Sequence, residues 1–146
     1  MQVREVIIAM NSASSDAGAW IQMLKHIQLD VTSHRGYVDS ACGFIADLPV
    51  SAVFAQQSDE VYWAIGAAVD AAPFLYGRSY AMSRIAPEAW NALEQAVDML
   101  EGARVTLRQP IATLGAVGPA LDNANRLLCA TDARIDARVA ELLRML

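Results

Sequence analysis

The chain has 146 residues, of which 55% are hydrophobic and 18% are charged, with a net charge of −5. A chain of this length can bury roughly 68–70% of its unfolded surface, so we expect one domain over residues 1–146 that needs no metal or disulfide for stability. The composition excludes a disordered chain, and the acidic balance argues against binding to nucleic acid or to an anionic membrane, because both require a basic surface.

The sequence predicts a cytoplasmic protein that is not embedded in a membrane. The apolar run within residues 1–11 is shorter than the core of a signal peptide. The longest apolar stretch, residues 61–77, contains Asp70 and is shorter than the ~20 residues that a bilayer span needs. Cys42 and Cys129 lie in apolar helical patterns, so we expect two buried free thiols, with a disulfide between them as the alternative.

The composition predicts an all-α fold. Alanine occurs 27 times, whereas glycine and proline number only 8 and 5. Strong helix formers therefore fill most of the chain, and the glycines and prolines fall where apolar periodic segments end. We expect a single compact helical bundle of about five to seven helices.

The N-terminal segment has two interpretations. Val3, Val6, Ile7 and Met10 recur at helical spacing, which indicates a short helix. A strand at residues 6–8 is the alternative, because β-branched residues cluster there. Residues 1–12 are expected either to pack on the bundle or to form a loosely packed N-terminal arm.

The segments that follow predict three further helices. Residues 11–16, Asn-Ser-Ala-Ser-Ser-Asp, break the first pattern and can cap a second helix, which we expect to end at Gly36. A third helix is predicted over residues 37–48 and a short helical piece over residues 50–57. A fourth is predicted to start at Ser58-Asp59-Glu60, where a hydroxyl and two carboxylates suit a helix N-terminus.

The fourth helix is predicted to lie in the centre of the bundle. Up to about Ala72 it is apolar on nearly every side, which is typical of a helix surrounded by others. Asp70 lies in this helix, and a buried carboxylate needs a partner. We therefore expect a salt bridge from Asp70 to Arg78 or Arg84.

The second half of the chain predicts two long helices. Residues 73–85 indicate an irregular connector, and Pro87 starts a helix that continues to about Gln109. Residues 110–119 carry no charge, which indicates a buried turn or helix fragment. The last segment, residues 120–146, is helical, with Thr131-Asp132 as a cap for a fresh helix at its midpoint.

Aromatic residues indicate both the core and a contact site. Trp20, Trp63 and Trp90 fall one per predicted helix, so we expect each to anchor the core. One stretch combines aromatic residues with arginine, a composition typical of interface hot spots. The predicted partner-binding residues are Phe74, Tyr76, Arg78, Tyr80 and Arg84.

A second contact is predicted on the last helix. Its stripe consists of Leu121, Asn125, Leu128, Ile135 and Leu142. The stripe packs either onto the chain's own bundle or against a second copy, since two-fold dimers are the commonest assembly. A polar Asn on such a dimer seam would fix the register of the two helices.

Groups that could carry chemistry are scarce. His26, Asp30 and His34 have the spacing of a metal site on one helix face. However, residues 32–36 are expected to end the helix before His34 is in register with the other two, which places this histidine as a cation near a helix C-terminus. Cys42 has apolar neighbours and is expected to be an inert thiol rather than a nucleophile paired with His34. We expect no metal, no cofactor and no catalytic residue.

These patterns predict a non-enzymatic protein–protein interaction module, in the role of an adaptor, inhibitor, immunity protein or assembly accessory. Its partner is another protein, or a second copy of the chain. The alternative is a ligand-binding or enzymatic bundle with an apolar pocket lined by Trp63, Phe74, Tyr76 and Met82.

Overall fold

Helices account for most of the chain that the computed structural model describes, which is residues 3–146, with side chains from Asp16 onward. The helices are α1 (Val3–Ala46), α2 (Asp59–Asp70), α3 (Ala72–Arg78), α4 (Met82–Ile85), α5 (Pro87–Leu107) and α6 (Gly118–Leu143). Short 3₁₀ turns lie at Phe54–Gln56 and Leu114–Ala116. Residues 3–146 contain no strand, which confirms the predicted all-α bundle. None of the described helices has an apolar stretch of the length that crossing a bilayer requires.

The helix α1 is one element where the sequence predicts three. Residues 6–8 lie within it, so the strand alternative is wrong, and so are the breaks at residues 11–16 and at Gly36. A glycine inside a helix costs only about 1 kcal/mol relative to alanine. The buried stripe of α1 continues past this point through Val38 and Ala41, and its burial outweighs that cost. Whether residues 1–12 form a loosely packed arm lies outside the residues whose side chains are described.

The core lies between α1, α5 and α6. The helix α6 packs against both of the others and runs antiparallel to α1. Two side-chain contacts show this direction. Arg35 of α1 pairs with Asp132 of α6. Gln28, which comes earlier in α1, donates a hydrogen bond at 2.7 Å to Asp136, which comes later in α6. The predicted helix break at Thr131 is wrong. Its hydroxyl donates to the carbonyl oxygen of Leu127 at 2.8 Å, within a continuous α6.

The helix α2 lies at the periphery of the bundle, which corrects its predicted central position. It packs on α1 and α5 through Ile65, Ala68 and Val69, which are buried, and its other side faces solvent. Asp70 is exposed rather than buried, so the predicted buried salt bridge is wrong as well. The segment that follows forms α3 and α4 instead of an irregular connector.

Two connections between helices pair with each other at one end of the bundle. The amide of Phe54 donates to the carbonyl oxygen of Ala112 at 2.9 Å, and the amide of Leu114 donates to Ala52 at 2.8 Å. The amide of Gly115 donates to Val50 at 3.0 Å. The α1–α2 connection is thereby tied to the α5–α6 connection. The side chains of Leu114 and Val117 are buried, whereas Ile111 is 81% exposed, so the turn predicted to be buried at residues 110–119 is buried only in part.

Candidate functional site

The predicted partner-binding residues Phe74 and Arg78 lie on the side of α3 that faces α1. They line a cavity of about 220 Å³ together with Tyr37 and His34. Phe74 is exposed, and Nη1 of Arg78 lies 3.8 Å from Oδ1 of Asp30 on α1. This part of the predicted site is therefore on the surface, and Phe74 is the one aromatic residue of the prediction that lies there.

The remaining predicted partner-binding residues lie elsewhere. The rings of Tyr76 and Tyr80 pack on Trp90 of α5, with centroid distances of 4.9 and 5.6 Å. Burial raises the pKa of the Tyr76 phenol, and the carboxylate of Glu94 adds to this effect. Arg84 lines a different cavity, near the start of α5. The structure thus distributes the five residues over three places, and their role in binding stays a prediction.

The predicted dimer seam on α6 lies inside the chain. All four of its apolar residues are fully buried: Leu121, Leu128, Ile135 and Leu142. They pack with α1 and α5, which is the intramolecular alternative given above. A seam with a second copy would require the bundle to open, so this part of the prediction is corrected.

The apolar pocket of the alternative prediction does not form around the four residues named for it. Met82 is fully buried in the core, and Tyr76 packs against Trp90. Trp63 and Phe74 are exposed and line separate cavities. These side chains therefore share no common site.

The two histidines and Asp30 lie on one continuous helix, because α1 does not end before His34. His34 is buried, its Nε2–H donates to the carbonyl oxygen of Ala68 at 2.9 Å, and burial lowers its pKa. The prediction of a cationic imidazole at a helix C-terminus is therefore wrong. In the part of the chain that the structure describes, no three His, Cys, Asp or Glu side chains lie close enough together to hold a metal ion.

The cysteines differ from each other. Both are free, so the disulfide alternative is wrong. Cys129 is exposed, which corrects its predicted burial, whereas Cys42 is half-buried. Burial raises the pKa of the Cys42 thiol to about 12, helped by a hydrogen bond to the carboxylate of Asp122 and by the charges of Asp122 and Asp39. Cys42 is thus held as a protonated thiol.

Trp63 lies on the surface of the bundle, which corrects the prediction that this residue anchors the core, and no partner-binding site was predicted around it. Trp63 is 70% exposed, although it lies on a well-formed helix. Its ring packs edge-on against Tyr62 at 5.8 Å between centroids, and Tyr62 stacks on the buried Phe54 at 4.7 Å. The aromatic cluster is therefore anchored at its base and exposed at its tip.

A groove runs beside this cluster, between α2 and the end of α5. Its volume is about 410 Å³. Leu107 contributes an apolar wall, Arg104 and Arg108 contribute guanidinium groups, and Asp70 contributes a carboxylate. Ile111, the residue after the groove-lining Pro110, is 81% exposed. We call this surface the aromatic face and define it by its residues: Tyr62, Trp63, Gly66, Asp70, Arg104, Leu107, Arg108 and Ile111.

The sequence contains a signal that could have located the aromatic face. Tyr62 and Trp63 are adjacent, so one helix cannot direct both toward the same narrow core stripe. The small and apolar residues Ile65, Ala68 and Val69 recur at helical spacing and fix the buried side. The high apolar content of α2 made it hard to tell which side of the helix is buried, since apolar residues lie on both its buried and its exposed sides.

Comparisons with known proteins add no assignment to this surface. No protein-family model, no curated protein and no solved structure matches the chain. The chemical character of the aromatic face therefore rests on its own residues and their geometry.

Proposed function

We propose that this chain is a non-enzymatic protein–protein interaction module that binds its partner through the aromatic face. The observation that carries the proposal is the exposure of Trp63, a residue that is 70% open to solvent on a helix that packs on the bundle. Tryptophan, tyrosine and arginine are the residues most enriched at interface hot spots. The aromatic face combines all three.

The aromatic face is also prepared for binding. Because Tyr62 stacks on Phe54 and meets Trp63 edge-on, the indole ring is restrained before a partner arrives. A restrained side chain loses less conformational entropy on binding than a free one. The neighbouring groove offers Leu107 for apolar contact and Arg108 for charged contact. Both parts of a typical interface, an apolar centre and a polar rim, are present.

The geometry favours a protein partner over a small ligand. Ligand pockets enclose most of the surface of their ligand. Trp63 instead projects from one wall of its groove, and Ile111 extends the apolar surface beyond it. Exposed apolar side chains gathered in this way are typical of macromolecular contact sites.

The test compares Trp63→Ala with Phe74→Ala, a matched control. Both substitutions remove a strongly exposed aromatic ring, one from the aromatic face and one from the predicted site on α3. The tagged chain is cross-linked in extracts of its native host, and the captured proteins are identified by mass spectrometry. We expect a partner that wild type and Phe74→Ala retain and that Trp63→Ala loses. Equal capture by both variants, or loss with Phe74→Ala alone, would refute the proposal.

A further inference from the structure

We propose that the partner of the aromatic face is a second copy of this chain, with the two α2 helices packed antiparallel across a two-fold axis. This inference rests on the proposed function and specifies its partner. It places a dimer contact on α2, a different surface from the stripe of α6. The evidence comes from the spacing of residues along α2 and from the positions of opposite charges in the groove.

The exposed side of α2 presents a continuous stripe. Asp59, Trp63, Gly66 and Asp70 follow one another at spacings of four, three and four residues, which keeps them on one side of a helix. This stripe lies beside the buried side of the helix, which Ile65, Ala68 and Val69 form. The space above Gly66 is open, since an added Cβ would meet only Oδ2 of Asp70, at 3.7 Å. A second helix can therefore approach α2 closely at this point.

The groove carries its opposite charges at opposite ends. The hydrogen bond from Phe54 to Ala112 ties the chain after α5 to the chain before α2. The end of α5, with Arg108, therefore lies near the N-terminal half of α2, where Trp63 is found. Asp70, at the C-terminal end of α2, lines the other end of the same groove.

An antiparallel arrangement of two copies brings the Asp70 end of one groove to the Arg108 end of the other. Trp63 and Asp70 lie equally far from the point between Gly66 and Ala67, so a two-fold axis at that point places each opposite the other. Asp70 of the partner subunit then meets Arg108, and Trp63 enters the partner's groove at the end that carries Asp70. In an isologous interface each of these contacts forms twice.

Charge complementarity favours a second copy over a different protein. Neither Asp70 nor Arg108 takes part in the ion pairs formed among residues 16–146, which involve other arginines and carboxylates. Both charges are therefore free to pair across an interface. A surface that carries Arg108 on one side of Gly66 and Asp70 on the other is complementary to itself when rotated by 180°.

The first experiment is sedimentation velocity across a wide concentration range. We expect a reversible dimer for the wild type, and a Kd about 30-fold or more higher for Trp63→Ala, the change typical of a hot-spot residue. Arg126→Asp is the control for the Arg108→Asp variant of the second experiment, because it makes the same change of charge at a residue that is exposed on α6 and does not line the groove. This control is expected to dimerise like the wild type.

The second experiment exchanges the charges. Asp70→Arg and Arg108→Asp each place like charges opposite each other in a homodimer, so each variant alone is expected to be monomeric. An equal mixture of the two is expected to form a heterodimer, because every Arg then meets an Asp again. Circular dichroism shows whether each variant is folded, and both sites are exposed, so we expect native spectra.

Three results would overturn the inference: a wild type that is monomeric at the highest concentration, a dimer that Trp63→Ala leaves intact, or a mixture of charge variants that stays monomeric. The proposed function is judged separately. If the wild type is monomeric but Trp63→Ala still loses a captured protein, the aromatic face binds a different partner. If Trp63→Ala loses neither dimer nor captured protein, both proposals fail.

Discussion

Substitution of Ile135 tests whether the stripe of α6 belongs to the core of a single chain. The Ile135 side chain is fully buried between helices of the same chain. Ile135→Ala removes three carbons, each worth about 0.8 kcal/mol in lost burial, or ~2.4 kcal/mol together. The cavity left behind adds to this, so we expect a loss of about 3–4 kcal/mol in the free energy of unfolding.

Ile135→Glu is expected to have a larger effect. A carboxylate at this position would lie among apolar side chains without a partner, and burying an unpaired charge exceeds the cost of a cavity. Since small domains are stable by only about 5–15 kcal/mol, we expect Ile135→Glu to be largely unfolded and Ile135→Ala to stay folded. Leu143→Ala is the matched control, because Leu143 lies on the same helix and is exposed.

Urea denaturation followed by circular dichroism measures these values, and sedimentation gives the mass of each folded species. The control Leu143→Ala should change the free energy of unfolding by no more than about 0.5 kcal/mol. An Ile135→Glu variant that is fully helical and has half the mass of the wild type would refute the placement of this stripe. In that case Ile135 would belong to an interface between copies.

Two further predictions concern titratable groups. Burial lowers the pKa of His34, so the folded state holds the neutral ring. Stability is expected to be full above the unfolded pKa of about 6.5 and to fall below it, by up to about 1.4 kcal/mol per pH unit. Thermal melts of His34→Gln should lack this component while those of His26→Gln keep it, and equal pH profiles for the two variants would contradict the assignment. Because the pKa of Cys42 is raised to about 12, iodoacetamide at pH 8 should first alkylate the exposed Cys129. The variant Cys129→Ser should react slowly, and rapid labelling of it would show that Cys42 is a thiolate.

The sequence predicted those helices whose signals are local and strong. Pro87 starts α5, as expected from a residue whose fixed φ suits the first helical position and whose missing N–H is not needed there. Ser58 precedes α2 for a related reason, since acidic residues follow it at the positive end of the helix dipole. In both cases a few neighbouring residues determine the boundary.

Predictions failed where packing between distant segments decides the outcome. Gly36 is a weak local signal for a helix end, and it is overridden because residues on either side of it pack against α2, α3 and α6. The orientation of α2 was missed for a similar reason. Local composition cannot distinguish a helix surrounded by others from one that exposes an aromatic side chain such as Trp63, since both are apolar nearly all round.

The paired connections have a consequence for Gly115, which lies far from α2 in the sequence. A Cβ at this position would lie 2.7 Å from the carbonyl oxygen of Val50 and 2.8 Å from the Val50 Cβ, which is closer than a Cβ comes to other non-hydrogen atoms in proteins. Any side chain at residue 115 would therefore push the α1–α2 connection away. That connection carries Phe54, the ring that supports Tyr62 and so the indole of Trp63. The orientation of the exposed tryptophan thus depends on the absence of a single carbon atom, at a glycine some fifty residues further along the chain.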